Sequence, residues 1–156
     1  MELRGSTDYI VIHCSYTKPN MDIGLREIRD WHVNDNGWRD VGYHYIIRRN
    51  GEVELGRNVK DTGAHAAGYN HKSIGIALVG GMADDNSTED NFTDKQWTTL
   101  LDLVKQKLID YIDKWLKNKI NTLLENLINL KNLKEKNSSI KALAYRLYEN
   151  NGVLKR

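Results

Sequence analysis

Cysteine, proline and phenylalanine are nearly missing, with one of each in 156 residues. A single cysteine, Cys14, excludes an internal disulfide and suits a reducing compartment. Pro19 is the lone proline, and no glycine lies between Met82 and Asn151, so nothing forces a break in the second half of the chain. No apolar run approaches the roughly 18 residues that a membrane span needs. Met1 to Asp8 is short and polar, without the apolar segment of a secretory signal. The expectation is therefore cytoplasmic synthesis, with access to any other compartment depending on release by another factor. Neither charge sign dominates: the net charge is +2 and the pI about 8.6. That balance lacks the basic footprint of a nucleic-acid binder, and no nucleic-acid partner is expected.

What is present is ordinary for a globular chain, 40% hydrophobic and 28% charged, and long enough to bury a core. Tyr9-Ile10-Val11-Ile12-His13 reads as a buried strand. Leu25, Ile28, Trp31 and His32 recur at helical spacing, and Gly37 stands where a helix would stop, so residues 24–36 read as a helix. Gly42 to Arg48 reads as a second strand, Asn50-Gly51 as a two-residue hairpin turn, and Glu52 to Gly56 as the returning strand. Ser73 to Val79 is a further interior strand.

Beyond a polar loop over residues 82–92, Thr93 and Gln96 have the spacing of a capping box. A long stripe follows: Trp97, Leu101, Val104, Leu108, Tyr111 and Trp115, then Leu116, Ile120, Leu123, Leu127 and Leu130 after a shift of phase. Two readings stand side by side. The stripe packs on the sheet or in a helical hairpin, or it forms a coiled-coil seam with another chain over residues 97–133. Lys136-Asn137-Ser138-Ser139 can end one helix and cap a second from about Ile140 to Tyr148. Residues 112–156 are biased toward Lys, Asn, Leu and Ile.

Among chemistry-bearing residues, His13 closes the first strand, and alternation turns Cys14 to the opposite face. A strand-end histidine serves either as a metal ligand or as a satisfied structural residue. Tyr43 reads either as a core aromatic or as a site hydroxyl. His44, one residue on, faces away as packing.

Several words occur in order: Ile10-Val11-Ile12-His13-Cys14-Ser15, Arg26-Glu27-Ile28-Arg29-Asp30-Trp31-His32, and Gly37-Trp38-Arg39-Asp40-Val41-Gly42-Tyr43-His44-Tyr45. Gly63-Ala64-His65, Gly68-Tyr69-Asn70 and Ser73-Ile74-Gly75-Ile76-Ala77-Leu78-Val79-Gly80 follow. This series resembles the phage-lysozyme-type N-acetylmuramoyl-L-alanine amidases, zinc enzymes that share a fold with peptidoglycan recognition proteins, over about residues 6–111. The resemblance implies an α/β fold with a mixed central β-sheet flanked by helices, then a long amphipathic helix or helical hairpin. The domains would be an amidase-like 1–111 and a divergent helical tail, 112–156. It implies a peptidoglycan or muropeptide partner and hydrolysis of the amide between muramic-acid lactyl and L-alanine. His13 matches a zinc ligand, and Tyr43 the tyrosine beside the zinc-bound water. His65, Tyr69 and Asn70 match the groove border as substrate contacts.

The same resemblance exposes a gap. The family's second ligand is a histidine on a strand after the long helix, and its third a cysteine or aspartate. Here no histidine follows His71 and no cysteine follows Cys14. A catalytic zinc takes three protein ligands and an open position. Zinc is therefore expected to be weak or absent, although His65 could turn toward His13. Three functions stay open: a phage-type amidase, a non-catalytic muropeptide binder, and a partner-binding protein acting through its helical tail.

Overall fold

In the computed structural model, which describes residues 2–151 and side chains as far as Ser139, a four-stranded mixed sheet organises the first part of the chain. Strands β1 (Tyr9–Cys14), β2 (Tyr45–Ile47), β3 (Val53–Leu55) and β4 (Ser73–Leu78) lie in the order β1-β4-β2-β3. β4 runs parallel to both neighbours, and β2 pairs antiparallel with β3. Every residue of β4 is buried, as an interior parallel strand requires. β1, at the edge, has only exposed and half-buried residues.

Side-chain alternation sorts two cores onto the two sheet faces. On one face Ile46, Ala77 and Val79 meet Ile23 and Ile28 of helix α1 (Leu25–Asp30) and its approach, with Trp31 and Tyr43 at the margin. On the other face Tyr45, Ile47, Ile76 and Leu78 pack with Leu100, Leu103 and Val104 from the first turns of helix α2 (Asp94–Asn151). Among the described residues, no helix is long and apolar enough to cross a membrane.

The expected strands and first helix form with adjusted ends, but β1 is a correction: it is an edge strand with no buried residue, where a buried strand was expected. The helix read over 24–36 is α1 followed by a wider π-helical turn, Trp31–Asp35, and Gly37 stops it at φ +69°. The hairpin turn is a correction: the loop has three residues, Arg49 to Gly51, rather than two. Arg48 N–H bonds Glu52 O at 2.9 Å, Gly51 N–H bonds Arg48 O at 2.9 Å, and Gly51 takes the left-handed position at φ +86°. Tyr43 and His44 precede β2 instead of lying within it.

The capping box forms as expected: Thr93 N–H donates to Gln96 Oε1 at 3.0 Å and Gln96 N–H to Thr93 Oγ1 at 3.2 Å. Gln96 does more, because its fully buried amide donates to Ile47 O at 3.1 Å and Val79 O at 2.8 Å. It thereby adds a second donor to Ile47 O, which already accepts the Val79 N–H at 3.0 Å, and satisfies Val79 O just past β4.

α2 is one helix through Asn137, Ser138 and Ser139, so neither the expected break nor a hairpin occurs there. Ser139 Oγ bonds back to Glu135 O at 3.0 Å, which seats a poor helix former inside the helix. The chain divides into two compact units, the first ending at Gln106 and the second beginning at Lys107. In the second, every residue from Leu108 to Ser139 is exposed.

Candidate functional site

β1 and β4 place His13 opposite Ala77, whose side belongs to the α1 face of the sheet. The Tyr43 ring stands 5.2 Å from His13 and 5.3 Å from His32, centroid to centroid. His32 is fixed by accepting the Gly42 N–H at its Nδ1, 3.0 Å away. Burial, with Cys14 nearby, raises the Tyr43 pKa, so the phenol keeps its proton and remains a donor.

His65 is brought onto His13 directly. His13 Nε2 and His65 Nδ1 are 3.0 Å apart, with rings at 77°. Gly75 makes this approach possible, since a Cβ there would lie 2.5 Å from the His65 ring. The His65 loop is tied from behind: Asn70 Oδ1 accepts the His65 and Ala66 N–H groups, each at 2.8 Å. Asn70 thus shapes the loop that carries His65. Tyr69 stands exposed at the other end of this face, edge-on to Tyr9 at 5.5 Å, with the Lys72 ammonium 5.1 Å from its ring centroid.

Hydrogen bonding assigns the tautomers. Ser73 Oγ donates to Tyr69 O at 2.8 Å, so toward His65 Nε2, 3.4 Å away, it acts as acceptor. His65 then carries its proton on Nε2, and its bare Nδ1 accepts from His13 Nε2–H. Burial, aided by neighbouring His13 and His44, holds the His65 pKa down to about 4. Burial also lowers that of His13. Both rings are neutral near pH 7.

These residues do not fit a catalytic zinc. Three protein donors are needed, and the pair offers two imidazoles already spent on one another. Among the described residues no group of three His, Cys, Asp or Glu is placed to hold a metal. His44 is committed: its Nδ1 accepts Gly75 N–H at 3.0 Å and its Nε2 bonds Asp61 O at 3.1 Å. Cys14 lines a pocket of about 430 Å³ together with His13, Ile12, Leu78, Phe92 and Trp97.

Sequence reasoning missed Ser73, Gly75 and Arg57. Arg57 is buried and donates to the carbonyls of Val41, Thr62 and Asp40, which fixes the segment leading to Tyr43. A glycine inside a strand pattern was the available signal for Gly75, since it marks a close approach.

Comparison with known proteins places this geometry among relatives. The family described as N-acetylmuramoyl-L-alanine amidase matches residues 3–123. The endolysin of Escherichia phage T7 is 52% identical over 108 residues, covering 69% of this chain and 71% of that protein. The solved endolysin amidase LysCS from Clostridium intestinale superposes with a TM-score of 0.61 at 30% identity, covering 70% of this chain and 66% of its own. Drosophila PGRP-LB superposes with a TM-score of 0.60 at 27% identity, over 70% of this chain and 65% of its own.

Proposed function

The chain belongs to the N-acetylmuramoyl-L-alanine amidase family, and from that premise we propose that it is a peptidoglycan-directed protein of phage-endolysin type. It recognises the junction between muramic-acid lactyl and L-alanine in the groove beside His13. Hydrolysis of that amide, the family reaction, requires metal donors beyond those the described residues bring together. One observation carries the reading: the 3.0 Å contact that closes His13 on His65 where an open metal site would need free donors.

The groove chemistry suits a polar, amide-rich ligand. The protonated Tyr43 hydroxyl donates to a carbonyl oxygen. The neutral His13 ring keeps its Nδ1 available at the groove, while His65, engaged at both nitrogens, holds His13 in place. Tyr69 offers an exposed aromatic surface for the flat face of a sugar, and Lys72 beside it meets a carboxylate. Asn70 contributes by holding the His65 loop.

The alternative reading, turnover by this chain, draws on the likeness to the T7 endolysin and on Tyr43 beside His13. One experiment separates the two. The purified chain, dialysed against zinc, is assayed for metal content, for cleavage of a muramoyl-pentapeptide, and for calorimetric binding of the same ligand. The expected outcome is substoichiometric zinc, no cleavage, and saturable binding weakened about tenfold by His65→Ala, the scale of one lost hydrogen bond to a buried group. One zinc per chain with turnover abolished by His13→Ala would establish the amidase instead.

A further inference from the structure

Among the described residues, nothing covers a stripe in the second unit. Ile112, Leu116, Ile120, Leu123, Leu127 and Leu130 follow one another at spacings of three and four, and so share one face of α2. Each is between 44% and 62% exposed. A helix with such a face is stable in water only when the face is covered.

Charge placement identifies the cover. Asp113 and Lys131 lie roughly five helical turns apart, so both sit on the same flank of the stripe, near its two ends, about 27 Å from each other. Both are exposed, and within its own helix Lys131 reaches Glu135 at 3.9 Å. In an antiparallel pair of identical helices, the same flanks meet with their ends exchanged. Asp113 then faces the partner's Lys131, and Lys131 the partner's Asp113, giving two symmetric ion pairs. To within one residue, about 1.5 Å along the axis, the same register sets Leu116 against the partner's Leu127 and Ile120 against the partner's Leu123. A parallel pair would keep these charges at opposite ends. Burying a stripe of this length against its equal removes on the order of 800 Å² from each copy, the scale of a standard stable interface.

We infer that residues 109–133 form an antiparallel two-helix interface with a second copy of this chain, registered by Asp113 and Lys131. The interface is isologous and closes at two copies.

The test uses the full chain. Sedimentation equilibrium at about tens of micromolar, the range expected for an interface of this size, should give the dimer mass. Ile120→Asp should give a monomer whose near-ultraviolet circular dichroism and cooperative urea unfolding persist, as a folded sheet unit requires. Asp113→Lys should weaken the dimer about tenfold, as two like-charge contacts replace two ion pairs, and adding Lys131→Asp should restore it. Orientation is read by disulfides in a Cys14→Ser background. Asp113→Cys mixed with Lys131→Cys should cross-link, while neither alone should. A monomer at these concentrations overturns the interface. Self-linking of Asp113→Cys overturns the antiparallel register, and an unaltered dimer in Ile120→Asp overturns the stripe as its site.

Discussion

The sheet unit and the helix beyond Lys107 use apolar residues in opposite ways. β4 spends Ile74, Ile76 and Leu78 on one face and Ala77 on the other, and all are buried. The helix segment carries a comparable density of Leu and Ile, yet all of it from Leu108 to Ser139 is exposed. Hydrophobic content is thus no measure of a core; a second layer must face the first. The first unit has that layer because α1 and the start of α2 cover opposite sides of one sheet.

The largest effect should come from removing a side chain that both layers share. Ile46 is fully buried between β4 and α1, so Ile46→Ala should cost about 3 kcal/mol in urea unfolding, from lost contacts and the cavity left behind. Leu127→Ala should leave the transition of the sheet unit within about 0.5 kcal/mol, because Leu127 lies outside that unit and its cost falls on the helix pair. Equal losses from the two substitutions would break the contrast between the units.

Polar and spacing roles in the sheet unit come next. Gln96→Leu keeps the bulk but strips hydrogen bonds from the Ile47 and Val79 carbonyls, which should cost about 2 kcal/mol. Gly75→Ala places a methyl into the His65 ring and should cost about 1–2 kcal/mol. The second variant should also weaken muropeptide binding, whereas Gln96→Leu should leave affinity unchanged at temperatures where it is folded. Calorimetry on both variants sharpens the comparison by separating a residue that shapes the site from one that closes the sheet.

The sheet unit was legible because its patterns are short-range. β-branched runs mark the strands, glycines mark the turns, and Thr93 with Gln96 marks a helix start. The site was legible in part, through the words around His13, Tyr43 and His65. The contact between His13 and His65 stood only as an open possibility, because it depends on Gly75 being three strand positions along from Asn70's turn and on Ser73 fixing a tautomer. Such facts require the register of β1 on β4, which no periodicity supplies. In the tail, Asn and Ser at 137–139 resembled a stop signal, and local propensity yielded to the continuing helix.

The smallest effect concerns charge, and it too differs between the units. Glu27 Oε2 accepts the Gly24 N–H at 2.9 Å at the start of α1, and its other oxygen meets Arg26. The Gly24 hydrogen bond first, then Arg26, lowers the Glu27 pKa to about 2 from an ordinary 4.5. A carboxylate depressed in the folded state stabilises fully above its unfolded value, and that contribution fades as pH falls through the folded one. The difference in urea midpoint between the native chain and Glu27→Gln should therefore be constant near neutrality, shrink below about pH 4.5, and vanish near pH 2. In the exposed helix the nearest analogue is Glu135, paired among the described residues with Lys131 at 3.9 Å, both side chains largely in water. Glu135→Gln should shift the midpoint of the sheet unit at no pH, since an exposed pair of this kind contributes little. A pH-independent Glu27→Gln difference would show that the α1 start is held by packing, and would remove charge from the list of ways in which the two units differ.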